Sequence, residues 1–143
     1  MRVSEILRRK GATVATIAPD ASVSELLGAL AQYDVGALVV SINGHSVSGI
    51  VSERDIVRSL ADYGSATLEL AAADLMTVEV VTASPQASID DLMAAMTERH
   101  FRHVPITEHD RLVGLVSIGD VVNAKLRALE IETEQLTSYI SGY

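Results

Sequence analysis

Cysteine and tryptophan are absent from the 143 residues, and phenylalanine occurs once. The lack of cysteine excludes disulfide bonds, thiol nucleophiles and thiolate metal sites, and it suits a reducing cytoplasm, where we expect the protein to reside. With aromatic residues at 3% and hydrophobic residues at 48%, the core must consist of aliphatic side chains and methionine. A chain of this length has room for one compact domain or for two very small units that share a core.

Long apolar segments and excess positive charge are also missing. No uninterrupted apolar run approaches the ~20 residues needed to cross a bilayer, and the segment MRVSEILRRKGA lacks the apolar stretch of a secretory signal. The net charge of −8 repels nucleic acid and anionic lipid, so we expect neither as a partner. A small anion can still bind where arginine, histidine and helix N-termini converge, because distant exposed charges are screened within about 10 Å.

An internal repeat becomes visible when Pro19 is aligned with Pro85. The segments PDASVSELLGAL and PQASIDDLMAAM then coincide, and both carry apolar residues at i, i+3, i+4 and i+7, as on one face of a helix. Both predicted helices begin with a capping box. These boxes are formed by Ser22 with Glu25 and by Ser88 with Asp91.

Short branched apolar runs flank each predicted helix. We expect strands before the two prolines, at 14–17 and 79–82, and a hairpin after each helix. In the first copy ALVVSI and SVSGIV flank Asn43-Gly44, the strongest short hairpin signal, and in the second HVPIT and RLVGLV flank a turn near 108–110. A second helix begins near Glu53 and near Ile118. Each half is therefore predicted to be β-α-β-β-α, with a three-stranded sheet, over about 14–62 and 79–127.

The C-terminal segment departs from the repeat. Five apolar residues and one threonine follow one another at spacings of 4, 3, 4, 3 and 4, which is a heptad a/d pattern. The pattern is compatible with a long final helix that covers its own domain and with a helix that pairs with another subunit. We call these residues the seam: Val122, Leu126, Leu129, Thr133, Leu136 and Ile140.

The heptapeptide GIVSERD at 49–55 recurs as GLVSIGD at 114–120. One interpretation is structural, because Ser-x-x-Asp before an apolar run is a capping box and glycine suits close strand-to-helix contact. The other is functional, because a helix N-terminus binds anions, a hydroxyl can bond phosphate, and a carboxylate can accept from both hydroxyls of a ribose. The heptapeptides by themselves leave both interpretations open.

The duplicated unit, with G-h-V-S-x-x-D at the start of each second helix, resembles a pair of CBS domains, named after cystathionine β-synthase and also found in IMP dehydrogenase and AMP-activated protein kinase. The resemblance covers about 3–127. It implies an α+β fold of two CBS repeats related by a pseudo-two-fold axis, plus a long C-terminal helix. We expect repeat 1 over 1–65, repeat 2 over 66–127 with a linker at 62–78, and a helical tail over 128–143.

The resemblance also implies a function. Small bacterial proteins made only of such a pair are adenosine-ligand sensors without catalytic activity, and they commonly assemble as disc-like homodimers. We therefore expect AMP, ADP, ATP or a dinucleotide such as NAD(H) as ligand, with S-adenosylmethionine also open, and an unknown protein target. The sequence does not distinguish among these ligands.

In that family adenylates lie in clefts between the two copies. The motif Asp binds ribose and the motif Ser binds phosphate or ribose, which implies Ser52 and Asp55 in one cleft and Ser117 and Asp120 in the other. The strand before the first helix offers its backbone to adenine, and the start of the second strand lines the base and phosphate pocket. These contacts correspond to Thr16, Ile17, Ala18, Thr82, Ala83 and Ser84, and to Val35, Gly36, Ala37, Leu38, Phe101, Arg102, His103, Val104 and Pro105.

The two copies differ where phosphate would be held. The first has Gly36 and Ala37 at the pocket but carries Arg54 inside its heptapeptide. The second has a basic Arg-His pair at the pocket, whereas Gly119 stands in place of the arginine. The strand proline of the family is kept as Pro105 and lost in the first copy. We therefore expect two sites of unequal affinity, one of which can be empty, although Arg54 can equally be a solvated helix-start arginine.

Other chemistries are less compatible with the sequence. His100, His103 and His109 suggest a metal, but the first two straddle a helix-to-strand junction and do not converge on one ion, so we expect no metal site. No Walker A loop, G-x-S-x-G elbow or Rossmann glycine motif occurs, so we do not expect an enzyme. Two hypotheses remain, an adenylate sensor and a structural pair that dimerises or docks on a partner. Arg54, Arg102 and His103 favour the sensor, because capping explains none of them.

Overall fold

The computed structural model describes residues 1–11 and 14–140. Helices and strands alternate in an α+β arrangement that contains two related halves. The elements are α1 (Val3–Lys10), β1 (Thr16–Ile17), α2 (Val23–Tyr33), β2 (Ala37–Val40), β3 (Gly49–Ser52), α3 (Glu53–Tyr63), a 3-10 helix (Gly64–Glu69), α4 (Ala72–Leu75), α5 (Ile89–Arg99), β4 (His103–Glu108), β5 (Arg111–Ser117) and α6 (Ile118–Ile140).

The first helix of each copy begins and ends in the same way. The hydroxyl of Ser22 accepts a hydrogen bond from the N–H of Glu25, and that of Ser88 from the N–H of Asp91. The reciprocal bond of a full capping box is not formed at either helix within the described residues. Both helices end on a residue in the left-handed region, Asp34 with φ 52° and His100 with φ 60°. Equivalent positions in the two copies thus carry equivalent backbone geometry.

The two sheets differ in their third strand. In the first sheet β1 pairs in parallel with β2, and β2 pairs antiparallel with β3. In the second, β4 and β5 form an antiparallel pair. The prediction of a strand at 79–82 was wrong, because these residues form no strand. Its place is taken by a parallel bridge between Ala83 and Ile106. The cause is that Thr77 exchanges two backbone hydrogen bonds with Ile50 of the first copy, so the segment from 77 to 83 crosses between the copies instead of extending along β4.

The first hairpin is shorter in its strands than the sequence predicted. The prediction of a two-residue turn at Asn43-Gly44 was wrong, because the loop between β2 and β3 contains all of residues 41–48. The side chains of Ser41 and Asn43 accept backbone N–H groups of this loop, including those of Gly44 at 2.9 Å and Ser46 at 2.8 Å. Local side-chain acceptors therefore replace the ladder bonds that a tighter hairpin would have made. The second hairpin does have its turn at His109 and Asp110, both with positive φ.

A helix precedes each copy, α1 before the first and α4 before the second, and each of these lead-in helices packs on the other copy. The N–H groups of Val3 and Ser4 in α1 donate to carbonyls of Ala87 and Pro85 in the second copy. Reciprocally, the first two residues of α4 donate to the carbonyls of residues 21 and 19 in the first copy. Val3 is fully buried among the apolar residues of the second copy, and burying one such side chain stabilises the fold by about 1.5–3 kcal/mol. This exchange joins the two copies into one body.

The last helix, α6, extends from Ile118 to Ile140, and residues 141–143 of the predicted tail lie outside the described residues. Its buried residues are Val121 and Ala124. The seam does not cover its own domain, because Leu126 is 52% exposed and Leu136 is 58% exposed. No helix among the described residues is long and apolar enough to span a membrane.

Candidate functional site

Both heptapeptides form caps at helix starts. At α3 the Asp55 Oδ2 accepts from the backbone N–H of Ser52 at 2.8 Å and from its hydroxyl at 3.0 Å. At α6 the Asp120 Oδ2 accepts from the N–H of Ser117 at 2.9 Å, and the Ser117 hydroxyl accepts from the N–H of Asp120 at 3.1 Å. The predicted structural role is therefore present at both sites, and it uses one oxygen of each carboxylate.

A cavity of about 720 Å³ lies beside the first heptapeptide, a volume in the range of small-molecule sites. The first copy, the crossing segment and the second copy all contribute to its wall. The lining residues are Gly36, Ile50, Ser52, Glu53, Arg54, Asp55, Val57, Arg58, Thr77, Glu79, Val80, Val81, Arg99, His100, Phe101, Arg102 and His103.

Positive charge is concentrated at this cavity. Arg54, Arg58, Arg99 and Arg102 line it and outnumber the carboxylates there, in a chain whose net charge is −8; these carboxylates are Glu53, Asp55 and Glu79. Neither of the two ion pairs within residues 1–11 and 14–140 includes any of these arginines. The Arg99 guanidinium lies 5.8 Å from the centre of the Phe101 ring, a cation–π distance. The wall thus presents guanidinium groups that are free to bind an anion.

The second heptapeptide has a different surrounding. Lys10 Nζ lies 2.7 Å from Asp120 Oδ2 and 2.8 Å from the carbonyl oxygen of Leu115. Burial by itself would raise the pKa of Asp120, but the Lys10 hydrogen bond and the Ser117 N–H outweigh it, so the pKa lies below its ordinary value. Asp120 borders a smaller cavity of about 240 Å³ between α1 and α6. The second carboxylate is therefore already bound by a cation of the chain itself.

His103 lies between the two heptapeptides. Its β4 position pairs with Ser117, and its side chain lines the large cavity. Burial is the main cause that lowers its pKa below the ordinary value, with Lys10 next, while Asp120 opposes the shift. A Cβ atom at Gly36 would lie 3.9 Å from His103 Nε2. This shift favours the neutral imidazole, whereas a bound anion would favour its protonated form.

The structure brings together only part of the predicted site. Seven predicted residues share the large cavity: Gly36, Ser52, Arg54, Asp55, Phe101, Arg102 and His103. Asp120 borders the smaller cavity. The remaining predicted residues line neither of these two cavities: Thr16, Ile17, Ala18, Val35, Ala37, Leu38, Thr82, Ala83, Ser84, Val104, Pro105 and Ser117.

Four basic or histidine neighbours and two glutamates of the sites were not predicted from the sequence; the glutamates are Glu53 and Glu79. Arg58 lies one helical turn after Arg54, a spacing that could have placed both on one face of α3. Arg99 and His100 directly precede the predicted basic pair and could have extended it. Lys10 had no local signal, because it lies 110 positions from Asp120. No group of three or more histidine, aspartate or glutamate residues within the described chain could hold a metal ion.

The sequence matches the CBS domain over residues 3–62 and 72–127. The chain belongs to the CBS-domain family. It is 31% identical to the CBS domain-containing protein CBSX3, mitochondrial, of Arabidopsis thaliana over 98% of this chain and 72% of that protein.

Solved structures agree with this assignment. The CBS-domain containing protein ATU1752 from Agrobacterium tumefaciens has a TM-score of 0.83 and 42% identity, covering 87% of this chain and 99% of that one. A signal-transduction protein with CBS domains from Burkholderia ambifaria has a TM-score of 0.82 and 32% identity, covering 89% of this chain and 95% of that one. The chain is thus a CBS pair of a regulatory and signal-transduction family, and no catalytic family is indicated.

Proposed function

We propose that this CBS pair is a cytoplasmic sensor that binds an adenine nucleotide in the large cavity and passes its state to a protein target without catalysing a reaction. The expected ligands are AMP, ADP, ATP and NAD(H). The observation that carries the proposal is the set of four arginines from both copies that line one cavity of an acidic protein, none of them in an ion pair within the described residues.

The cavity offers groups that are suited to the ribose, the phosphate and the base of a nucleotide. The Asp55 carboxylate uses Oδ2 for the cap, and no hydrogen bond within the described residues reaches Oδ1, which leaves an acceptor for ribose hydroxyls. Arg54 and Arg102 offer planar donors that match phosphate oxygens. Ile50, Val80 and Val81 provide apolar surface for a base. The guanidinium groups favour ligands that carry phosphate over S-adenosylmethionine, whose sulfonium is positive.

A purely structural role explains less of the site. The caps at α3 and α6 account for Ser52, Asp55, Ser117 and Asp120 without a ligand. They do not account for the four arginines, which outnumber the three carboxylates of the cavity and form no ion pair within the described residues. The arrangement is therefore better explained by a ligand that supplies negative charge.

We also propose that the module works as a homodimer, as expected from the sequence. The exposed seam on α6 supports an association through that helix. Covering exposed apolar side chains with a partner removes them from water, which is favourable for association. Nucleotide binding and dimerisation are separate parts of the proposal and can fail separately.

Calorimetric titration of the purified protein with AMP, ADP, ATP and NADH tests the nucleotide part. We expect at least one of them to bind with a Kd in the micromolar range, which corresponds to about −8 kcal/mol. Arg102→Ala removes one charge-assisted contact and should weaken that ligand about 10- to 100-fold.

The matched control is Arg111→Ala, at an exposed position that does not line the cavity. It should bind the ligand like the parent protein. If no nucleotide binds at millimolar concentration, or if both arginine variants lose affinity equally, the proposed function is wrong.

A further inference from the structure

The last helix has two apolar faces, and the described chain covers one of them. Val121 and Ala124 are buried against the second copy. The seam is centred about 130° further around the helix, at 100° per residue. Val122, Leu129 and Ile140 in it are 42%, 46% and 75% exposed. This surface is a continuous apolar stripe over the whole length of α6.

We propose that the seam binds the seam of a second copy of this chain, in parallel, as a short two-stranded coiled coil. The inference rests on the homodimer in the proposed function and adds the surface and the orientation. The heptad spacing is the spacing of coiled-coil a and d positions, and leucine at the d positions Leu129 and Leu136 favours two strands. Thr133 at an a position disfavours other registers, because slipping would oppose it to leucine.

The flanking charges select the parallel orientation. In a parallel pair the g residue of one helix faces the e residue five positions later on the other. Lys125 of each chain then lies beside Glu130 of the other chain, which gives two symmetric contacts. In the antiparallel pair that aligns the same seam residues, Glu130 faces Glu130 and Glu132 faces Glu132. Opposite charges attract and like charges repel across such an interface. Parallel pairing is therefore the arrangement that the sequence of α6 supports.

Lys125 can make this contact while it keeps its ion pair with Asp90 of its own subunit. Its Nζ lies 2.9 Å from Asp90 Oδ1, and both side chains are substantially exposed. A lysine ammonium has three donors, so it can bond Asp90 and a glutamate of the second copy together. The first turns of α6 are held by packing against the second repeat, which orders the helix before association and lowers the entropic cost of binding.

A single introduced thiol tests orientation, because the natural chain contains no cysteine. In the parallel pair the two Leu136 positions are neighbours, whereas in the antiparallel pair they lie about 15 Å apart along the axis. We expect full-length Leu136→Cys to form a covalent dimer on mild oxidation at micromolar concentration. The matched control Ser138→Cys, on the far side of the helix, should remain uncrosslinked.

A charge exchange tests the predicted contact. Lys125→Glu and Glu130→Lys should each weaken the homodimer at least tenfold in light scattering, because each places like charges together. Mixing these two variants should restore dimers, since every contact is again between opposite charges. Asp90→Asn controls for the lost intrachain pair and should leave the dimer intact.

Each outcome decides the inference. Covalent dimers of Leu136→Cys together with recovery in the mixture support it. A dimer in light scattering that forms no crosslink through Leu136→Cys overturns this interface while leaving a homodimer through another surface. A monomer at micromolar concentration overturns both the interface and the homodimer, and the nucleotide titration is unaffected by either result.

Discussion

The two copies of the repeat use the same heptapeptide in different surroundings. Asp55 caps α3 beside an open cavity lined by arginines. Asp120 caps α6 in the same way, but Lys10 also binds its carboxylate. The motif therefore borders an arginine-lined cavity in the first copy, whereas in the second copy its carboxylate is already paired with a lysine of the same chain.

The difference arises from the lengths of the two lead-in helices. α4 ends at Leu75, and the chain then pairs with β3 through Thr77, which leaves room beside Asp55. α1 begins in the equivalent way but continues to Lys10, whose ammonium reaches Leu115 and Asp120. Duplicated motifs thus acquire different chemistry from the segments that are packed against them, as well as from the Arg54-to-Gly119 difference within the motif itself.

The largest expected effect concerns the equivalent glycines of the two heptapeptides. A Cβ at Gly49 would lie 2.7 Å from the Thr77 carbonyl oxygen, which is backbone, whereas a Cβ at Gly114 would meet the flexible end of Leu7. We expect Gly49→Ala to lower the free energy of unfolding by about 1–3 kcal/mol. Gly114→Ala should cost less, and urea unfolding of both variants measures the difference. Equal losses would show that the two lead-ins pack alike.

A smaller effect is expected from removing the cation at the second heptapeptide. Lys10→Met should lower the free energy of unfolding by about 0.5–1 kcal/mol, because the pair with Asp120 is partly exposed. Arg111→Met, at an exposed position outside both ion pairs of the described residues, serves as the matched control, with a loss near zero. Unfolding in urea at pH 7 compares them.

The pH dependence of the Lys10 effect follows from the lowered pKa of Asp120. Its contribution to stability is complete above the unfolded-state value of about 4 and is lost as pH falls through the folded-state pKa. The difference between Lys10→Met and the parent protein should therefore shrink at pH 2–3. A difference that is the same at pH 7 and at pH 2–3 would contradict the assigned ion pair.

The smallest effect concerns His103, whose pKa is lowered chiefly by burial, with Lys10 and Arg102 adding to the shift and Asp120 and Glu53 opposing it. The contribution of the neutral imidazole to stability is present above about pH 6.5 and is lost as pH falls through the folded-state pKa. A bound phosphate reverses this preference, so nucleotide affinity should rise a few-fold from pH 7.5 to 6.

Substitution separates the His103 effect from the titration of the ligand. His103→Gln should flatten the pH dependence of affinity, and His45→Gln, at an exposed loop position, should leave it unchanged. Titrations at both pH values provide the measurement. An unchanged pH profile in His103→Gln would show that the imidazole does not face the phosphate.

The sequence predicted the parts of the fold that depend on local periodicity and capping. The α2 and α5 helices, the starts of α3 and α6 and the caps at Ser52 and Ser117 are as expected. The strand expected at 79–82 failed because Thr77 is held by the other copy, a long-range contact without a local pattern. The Asn43-Gly44 turn failed because side chains in the loop compete for the same backbone donors.

The same distinction applies to the candidate site. Asp55 could be predicted because it belongs to a repeated motif, and Arg54 because it lies directly beside Asp55 in that motif. The position of Arg102 in the same cavity as the first heptapeptide could not be predicted, because it depends on how the two copies pack. The contact of Lys10 with Asp120 depends on where a lead-in helix ends, which its residues specify only weakly.

The most direct test of the account is one set of calorimetric titrations with the tightest-binding nucleotide, applied to the parent protein, Asp55→Asn and Asp120→Asn at pH 7. An asparagine oxygen can still accept the capping hydrogen bond, so both variants should stay folded. Asp55→Asn should weaken binding about 10- to 100-fold, the range for a lost hydrogen bond to a charged group, while Asp120→Asn should stay within about twofold of the parent. Equal losses in both variants, or a loss confined to Asp120→Asn, would contradict it.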